Sequence, residues 1–107
     1  MVSSKRLSVA AAAVLQAVTA GCGYGFDIMD ATGLPSGTVY PILARLEEAG
    51  LLRSRWERQA IAHREKRPPR RYYEATASGT RALEAAIEYY RTLGGLLPLP
   101  GPARSKG

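Results

Sequence analysis

Residues 36–51 combine an apolar stripe with a polar face, and this pattern predicts an amphipathic helix. The stripe places four apolar residues at the spacing of a helix face that packs on a core: Val39, Ile42, Leu43 and Leu46. The opposite face carries polar or small residues: Thr38, Tyr40, Ala44, Arg45 and Glu48. We expect the helix to end at Gly50, because glycine adopts the left-handed conformation that follows a helix at little cost.

The first turn of this helix has features that suit a phosphate group. Ser36, Thr38 and Tyr40 carry hydroxyls, and Gly37 leaves backbone N–H groups accessible. Free N–H donors and the positive end of the helix dipole both attract anions. Pro41 conflicts with the pattern, since an internal proline removes one hydrogen bond and clashes with the carbonyl four residues earlier. The helix is therefore expected to be kinked or to start late, or else to have a first turn splayed to fit a partner.

The preceding residues complete a helix-turn-helix pattern. An apolar stripe predicts a first helix over residues 7–20, with Ser8 as its N-cap. Residues 24–31 predict a short second helix, which Thr32-Gly33-Leu34-Pro35 would end. A short helix, a tight turn and an amphipathic helix are the elements that place a recognition helix in the major groove of DNA.

After the amphipathic helix, the sequence predicts two strands joined by a basic loop. Residues 51–58 and 70–75 are the expected strands, and residues 59–69 are too many for a tight turn. Residues 53–71 hold eight Lys or Arg and two Glu, whereas the rest of the chain holds seven Lys or Arg and seven Asp or Glu. Such a local excess attracts a polyanion, with a solvated loop as the alternative. A hairpin placed like this is a wing, which could reach the DNA backbone or the minor groove through Arg64, Lys66, Arg67 and Arg70.

A last helix, capped by Thr76, is expected over residues 76–94. Its apolar stripe must be buried, against a second copy, against the first helix of its own chain, or against both: Leu83, Ala86, Ile87, Tyr90 and Leu93. We therefore expect an α+β, mainly α fold, a winged helix-turn-helix at residues 7–75 followed by a C-terminal dimerisation helix. Residues 1–6 are expected to be a flexible basic arm and residues 95–107 a disordered tail.

Several other classes of protein are not expected. The single cysteine, Cys22, leaves no internal disulfide and fits a reducing cytoplasm. The lone His63 has no other ligand residues at metal-binding spacing, so neither a metal site nor a cofactor is expected. No carboxylate pair, activated nucleophile or phosphate loop is evident, so the chain is not expected to be an enzyme. Residues 7–20 look like a signal peptide, but Gln16 and Thr19 interrupt an apolar run that is also too short to cross a membrane, and a cytoplasmic helix is expected instead.

Motifs spread over residues 7–93 resemble the PadR family of bacterial transcriptional regulators. They are Gly23-Tyr24-Gly25, Leu34-Pro35-Ser36-Gly37-Thr38-Val39-Tyr40-Pro41, Leu43, Arg45-Leu46-Glu47-Glu48-Ala49-Gly50-Leu51, Trp56-Glu57, Arg71-Tyr72-Tyr73, Thr76 and Gly79. The resemblance implies a winged helix-turn-helix that dimerises through its C-terminal helix and represses from a partly palindromic operator, often until a small ligand relieves it. It also implies that the wing cations face DNA together with Ser36, Gly37, Thr38, Tyr40 and Arg45; Pro41 belongs to the same predicted surface. One C-terminal helix is typical of the short members, for which a dedicated ligand domain is not expected.

The expected function is that of a sequence-specific regulator, a repressor, that binds double-stranded DNA as a homodimer. Two recognition helices would lie in successive major grooves about 34 Å apart. Thr38 and Arg45 are the candidates for base edges, while Ser36, Tyr40 and the wing would contact phosphates. Two alternatives stay open: a module that senses a small aromatic effector at the dimer interface, or a winged helix that binds protein or RNA. Residues that could line the effector pocket are Trp56, Tyr89 and Tyr90, although Trp56 is more simply expected in the core.

Overall fold

The computed structural model describes residues 6–96, which form five helices and a two-stranded antiparallel sheet. In chain order these elements are α1 (Val9–Thr19), α2 (Gly25–Thr32), α3 (Ser36–Glu48), β1 (Leu52–Trp56), α4 (Gln59–Arg64), β2 (Arg71–Ala75) and α5 (Ala77–Leu96). The order confirms the expected α+β, mainly α fold, in which a hairpin follows a helix-turn-helix. The expected basic arm apart from Arg6, and the expected tail beyond residue 96, lie outside the described residues.

The hairpin is fixed to the rest of the domain along both of its strands. Leu52 lies opposite Ala75 at the inner end, and Trp56 lies opposite Arg71 at the outer end. The turn between α1 and α2 runs beside β2, because the Tyr73 N–H donates to the Gly23 carbonyl at 2.7 Å. The turn therefore lies next to β2 as β1 does on its other side, so backbone hydrogen bonds join all three segments.

The core lies where α1, α2, α3, α5 and the inner end of β1 meet. The predicted stripe of α3 is confirmed, since all four of its apolar residues are buried: Val39, Ile42, Leu43 and Leu46. The largest fully buried side chains come from four different elements: Leu15, Ile28, Leu43, Leu52, Val14 and Val39. Because α3 supplies a third of the core cluster from one face, its other face is left to solvent.

The predicted caps of α1 and α5 and the predicted end of α3 are confirmed by hydrogen bonds and backbone conformation. The Ala11 N–H donates to the Ser8 hydroxyl at 3.0 Å, so Ser8 caps α1. Gly50 has φ +79°, the left-handed conformation expected after α3. The Gly79 N–H donates to the Thr76 hydroxyl at 3.0 Å, and that hydroxyl donates to the Gly50 carbonyl at 2.7 Å. Thr76 therefore caps α5 and also joins it to the end of α3.

Helix α3 begins at Ser36 and runs without a break through Pro41 to Glu48, so the expectation of a late start is wrong. The Pro35 carbonyl accepts from both Thr38 N–H at 2.9 Å and Val39 N–H at 3.0 Å. This double acceptance tightens the first turn, as is common at helix ends. Pro41 has no N–H to donate to the carbonyl four residues earlier, and the rest of the ladder holds the helix together.

Three differences from the expected elements are larger than the shifts of one or two residues at other helix and strand ends, or change the course of the wing. The loop expected over residues 59–69 contains α4, because Gln59–Arg64 includes good helix formers and Ala62 is buried. Strand β1 ends at Trp56, two residues earlier than expected, where the chain turns into α4. Helix α5 continues to Leu96 past two glycines, whose cost of about 1 kcal/mol each relative to alanine does not end a long helix.

Trp56 is not a core residue, since 61 % of its surface is exposed. It lies at the outer end of β1, opposite Arg71, whereas the buried Leu52 occupies the inner end. The inner half of the hairpin packs on the core through Leu52 and Tyr73, whereas its outer end lies beyond the core, so a large aromatic there has no core residues to pack against. The expectation of a buried Trp56 is therefore corrected.

Candidate nucleic-acid interface

The polar face of α3 is an exposed surface at the edge of the domain. The predicted DNA-facing residues on it are exposed with one exception: Ser36, Gly37, Tyr40, Pro41 and Arg45 are open to solvent, and Thr38 is half-buried. Within the described part of the chain, the N–H groups of Ser36 and Gly37 make no hydrogen bond. Donors at a helix start can therefore be offered outward to a phosphate.

The ring of Tyr40 rests on the start of α2. Gly25 is buried beneath it, and a Cβ at position 25 would overlap the Tyr40 hydroxyl and ring. Tyr40 itself remains 47 % exposed. The absence of a side chain at position 25 thus lets the phenol lie flat across the helix-turn-helix while one side of it stays in solvent.

A polar network fixes the orientation of α3 relative to the wing. The Ser54 hydroxyl of β1 donates to the Glu47 carboxylate at 2.6 Å, and it accepts from Arg71 Nε of β2 at 3.0 Å. Arg71 also forms an ion pair with Glu47 at 3.3 Å. Both strands are thereby joined to the last turn of α3, which sets the orientation of the hairpin relative to the polar face of that helix. The sequence assigns no role to Glu47, Ser54 or Arg71, because their contact depends on the strand register.

The base of the wing tip is closed by a largely buried ion pair. Arg67 donates to both carboxylate oxygens of Glu57, at 2.5 and 2.9 Å. The Arg70 N–H donates to the same carboxylate at 3.2 Å. The hydrogen bonds from Arg67 lower the pKa of Glu57 from 4.5 to about 2, and Glu57 in turn raises the pKa of Arg67. The guanidinium of Arg67 is therefore engaged by Glu57 within the chain, and its expected contact with DNA stays a prediction.

The other three predicted wing cations are placed differently. Arg64 and Lys66 are exposed, and neither makes an ion pair within residues 6–96. Lys66 has φ +59°, an uncommon conformation at the point where the chain leaves α4. Arg70 is half-buried, with its guanidinium 4.2 Å from the centroid of the Tyr24 ring. Of the four predicted wing cations, Arg64 and Lys66 are thus the two that are exposed and unpaired within the described residues.

A cleft lies between α3 and the hairpin, and its walls are aromatic and cationic. It has a volume of about 490 Å³, and we call it the aromatic cleft; the side chains that define it are Tyr24, Phe26, Tyr40, Trp56, Arg70 and Arg71. Phe26 and Trp56 are 72 % and 61 % exposed, which is high for such large apolar side chains. The cleft brings Tyr40 of the recognition face beside Trp56 and Arg70 of the wing, so the two predicted DNA-facing elements share one surface.

The stripe of α5 is divided between the core and the surface. Leu83 and Ala86 are buried against the chain's own core, and Ile87 packs beside them. Tyr90 donates its hydroxyl to the Leu7 carbonyl at 2.7 Å, so it also contacts its own chain. The stripe was expected to be buried by a second copy, by its own chain, or by both. In the structure, Leu83 and Ala86 are buried by their own chain.

What remains is an apolar groove between α1 and α5 with a volume of about 600 Å³. We call it the α1–α5 groove; its walls include Val9, Ala12, Ala13, Ile87, Tyr90 and Leu93. Val9 is 66 % exposed there. Trp56 lines the aromatic cleft and not this groove, so Trp56 and Tyr90 lie in different pockets of the described chain. The effector site expected at the dimer interface stays a prediction.

Two further features bear on the class of protein. None of the helices in residues 6–96 combines the length and the apolar character that are needed to span a membrane. Within the same range, no group of three or more His, Cys, Asp or Glu side chains is arranged to hold a metal ion.

The model of one protein family matches most of the chain. That family is described as the transcriptional regulator PadR-like family, and the match covers residues 14–85. The match includes α2, α3, the whole hairpin and the first half of α5. Comparison with curated proteins gives no match.

Solved structures of bacterial regulators have the same fold. A PadR family regulator from Clostridium difficile R20291 superposes with a TM-score of 0.72 at 21% identity, over 83% of this chain and 94% of that one. A PadR family regulator from Eggerthella lenta DSM 2243 gives 0.62 at 27% identity, over 79% and 80%. BpsR of Bordetella bronchiseptica, whose DNA binding is regulated by 6-hydroxynicotinic acid, gives 0.65 at 23% identity, over 91% and 73%. At under 25% identity, the first and third likenesses show the fold alone.

Proposed function

The chain belongs to the PadR-like family of transcriptional regulators, and from this premise we propose that it is a repressor that binds a partly palindromic operator as a homodimer. Membership of the family makes it a DNA-binding transcription regulator and sets it apart from enzymes. The observation that carries the finer proposal is the shared surface of α3 and the wing, where Tyr40 lies beside Trp56 and Arg70. A rigid pairing of an exposed helix with a basic hairpin suits a duplex, which offers a major groove next to a row of phosphates.

The roles on this surface follow from side-chain chemistry. Arg45 is exposed on the outer face of α3 and can donate two hydrogen bonds to the edge of a guanine, and Thr38 can contact a neighbouring base. Ser36 and Gly37 at the helix start, with Tyr40, are suited to phosphate oxygens because they offer N–H and O–H donors. We assign the reading of bases to Arg45 and Thr38. We assign the positioning of the protein along the duplex to the phosphate contacts of Ser36, Gly37 and Tyr40.

The DNA-binding proposal is tested by gel shift with the duplex upstream of the protein's own gene, in the presence of excess random duplex. Arg45→Ala is expected to lower affinity for the specific site more than for random DNA, because a base contact is worth about 1–3 kcal/mol of discrimination. Arg81→Ala, which removes an exposed cation from α5, is the matched control. If Arg45→Ala lost equal affinity for specific and random DNA, Arg45 would not be a base-reading residue. If the protein bound RNA and not duplex DNA, the alternative of an RNA-binding winged helix would be favoured.

The homodimer is supported by the α1–α5 groove, whose exposed apolar wall requires a cover. In a dimer with a twofold axis, the α1–α5 groove of one copy would pack against the α1–α5 groove of the other copy. Val9→Glu places a charge in the groove at an exposed position, so it is expected to give monomers without unfolding the chain. Ala85→Glu, at an exposed position on the opposite side of α5, is the control, and sedimentation equilibrium gives the readout. An unchanged dimer in Val9→Glu would mean that another surface forms the interface.

A small-molecule effector is a second candidate function, and the aromatic cleft favours it. About 490 Å³ lies within the range of sites for drug-sized ligands, and aromatic walls with two arginines suit a planar anion. A ligand there would occupy the surface proposed for DNA. Titration with 6-hydroxynicotinic acid, the compound that regulates BpsR, should quench Trp56 fluorescence and weaken the gel shift, while Trp56→Phe should lose the optical signal. Unchanged fluorescence and unchanged DNA binding for a panel of such acids would leave the cleft without this role.

A further inference from the structure

The tip of the wing is a compact helical unit. Ala62, in the middle of α4, is 1 % exposed, so one side of this short helix is covered by the chain. The Arg67 N–H donates to the Ala62 carbonyl at 3.1 Å, and the Arg67 side chain holds Glu57 just before the helix. The Glu57 N–H donates to the Arg70 carbonyl at 2.7 Å. These bonds join both ends of α4 to each other and to the strands, so residues 57–70 behave as one block.

The width of this block decides where it can lie on DNA. An α-helix with its side chains is about 10–12 Å across. The minor groove of B-DNA is about 6 Å wide, so a helical tip cannot enter it as an extended strand or a narrow loop could. We propose that, in the DNA complex described above, the wing tip lies on the sugar–phosphate backbone that borders the minor groove and does not read the groove. This inference rests on the proposed function, because it concerns the way in which the same surface contacts the duplex.

The charges of the tip agree with a backbone contact. Arg64 ends α4 and Lys66 follows two residues later, and both are exposed. Arg67, close to them in the chain, is half-buried and is held by Glu57, so it is less available to a phosphate. Contacts from Arg64 and Lys66 to phosphates add affinity without sequence information. The wing would then strengthen binding to every duplex, while the choice of sequence is left to α3.

The experiment compares two probes that differ in the minor groove and have the same hydrogen-bonding groups in the major groove. One is a 30-base-pair duplex of mixed sequence, and the other is the same duplex with inosine in place of guanine, which lacks the minor-groove amino group. Fluorescence anisotropy over a range of salt concentrations gives the affinity and its salt slope for wild type, for Arg64→Gln combined with Lys66→Gln, and for the control Arg81→Gln. Circular dichroism checks that each variant is folded.

We expect wild type to bind the two duplexes within twofold of each other. The double variant should lower the slope of log K against log salt by about 0.9 for each phosphate contact that is lost, equally on both probes, and Arg81→Gln should leave it unchanged. A preference of fivefold or more that the double variant abolishes would overturn the inference, since the cations would then be reading the groove. An unchanged salt slope in the double variant would also overturn it, because the tip would not touch DNA. If wild type bound neither duplex even at low salt, the proposed function itself would fail, which is a distinct result.

Discussion

Gly25→Ala is the substitution that connects packing to DNA binding most directly. An added Cβ would overlap the ring and hydroxyl of Tyr40, which is the flexible end of a side chain that is already 47 % exposed. Tyr40 can therefore yield by swinging into solvent, while the backbone of α2 stays in place. Position 25 is also the first residue of α2, where alanine favours the helix by up to about 1 kcal/mol over glycine. We expect the free energy of unfolding to change by less than about 1 kcal/mol.

The effect on DNA binding should be larger than the effect on stability. A displaced Tyr40 loses a hydrogen bond to phosphate, and such a bond has a net value of about 0.5–1.5 kcal/mol. A symmetric dimer loses it twice, so the affinity for a duplex should fall by about 1–3 kcal/mol, roughly five- to 150-fold. Fluorescence anisotropy measures the affinity, and urea unfolding measures the stability of the same preparation.

A double-mutant cycle with Tyr40→Ala separates this mechanism from a general disturbance. Once the ring is removed, a Cβ at position 25 has nothing of Tyr40 to displace. Gly25→Ala should then cost almost no further affinity in the Tyr40→Ala background. Full additivity of the two losses would refute the reasoning, because Gly25→Ala would be acting through some other part of the interface.

Two further predictions concern stability. Gly79→Ala should destabilise the protein by about 2–3 kcal/mol in urea unfolding, because its Cβ would overlap the backbone carbonyl of Leu51, which cannot move aside as a side chain can; wild-type stability in this variant would mean that α5 does not approach so closely. Glu57→Gln tests the ion pair with Arg67: since the pKa of Glu57 is lowered from 4.5 to about 2, the carboxylate stabilises the fold above pH 4.5 and loses that contribution as pH falls towards 2. The stability difference between wild type and Glu57→Gln should thus be present at pH 6 and shrink by pH 3, and a pH-independent difference would contradict the assigned pKa.

The sequence predicted best those elements whose residues repeat over several turns. The stripe of α3 extends over two turns and more, so its helix, its buried face and its end at Gly50 all follow from periodicity. Ser8 and Thr76 could be predicted as caps because a Ser or Thr hydroxyl just before a helix accepts a hydrogen bond from an N–H of its first turn. Local chemistry was sufficient in each case, since the partners lie within a few residues of one another.

The sequence could not predict features that depend on how distant residues meet. Helix α4 has six residues, too few for a periodic signal, and its polar composition is also typical of a loop. The pairing of Glu57 with Arg67 needs the chain to return after α4, and that return was not visible in the composition. Trp56 was expected in the core because large aromatics usually are buried, but the strand carries it past the core's edge.

Charge counting from sequence therefore overstates the part of a basic segment that can meet DNA. Three of the eight cations in residues 53–71 form ion pairs within the chain: Arg53 with Glu74, Arg67 with Glu57 and Arg71 with Glu47. Arg70 lies over the Tyr24 ring, and Arg55 lies 5.5 Å from the centroid of Tyr72. Arg71 holds the wing against α3, and the other four arginines make contacts within the wing or with Tyr24. The positions of Arg64 and Lys66 depend on that framework. Substitution of a wing arginine can thus weaken DNA binding in two ways, by disturbing the fold of the wing or by removing a phosphate contact. A disturbed wing lowers the free energy of unfolding, whereas a lost phosphate contact lowers the slope of log K against log salt. Measuring both quantities for the same variant identifies which of the two has occurred.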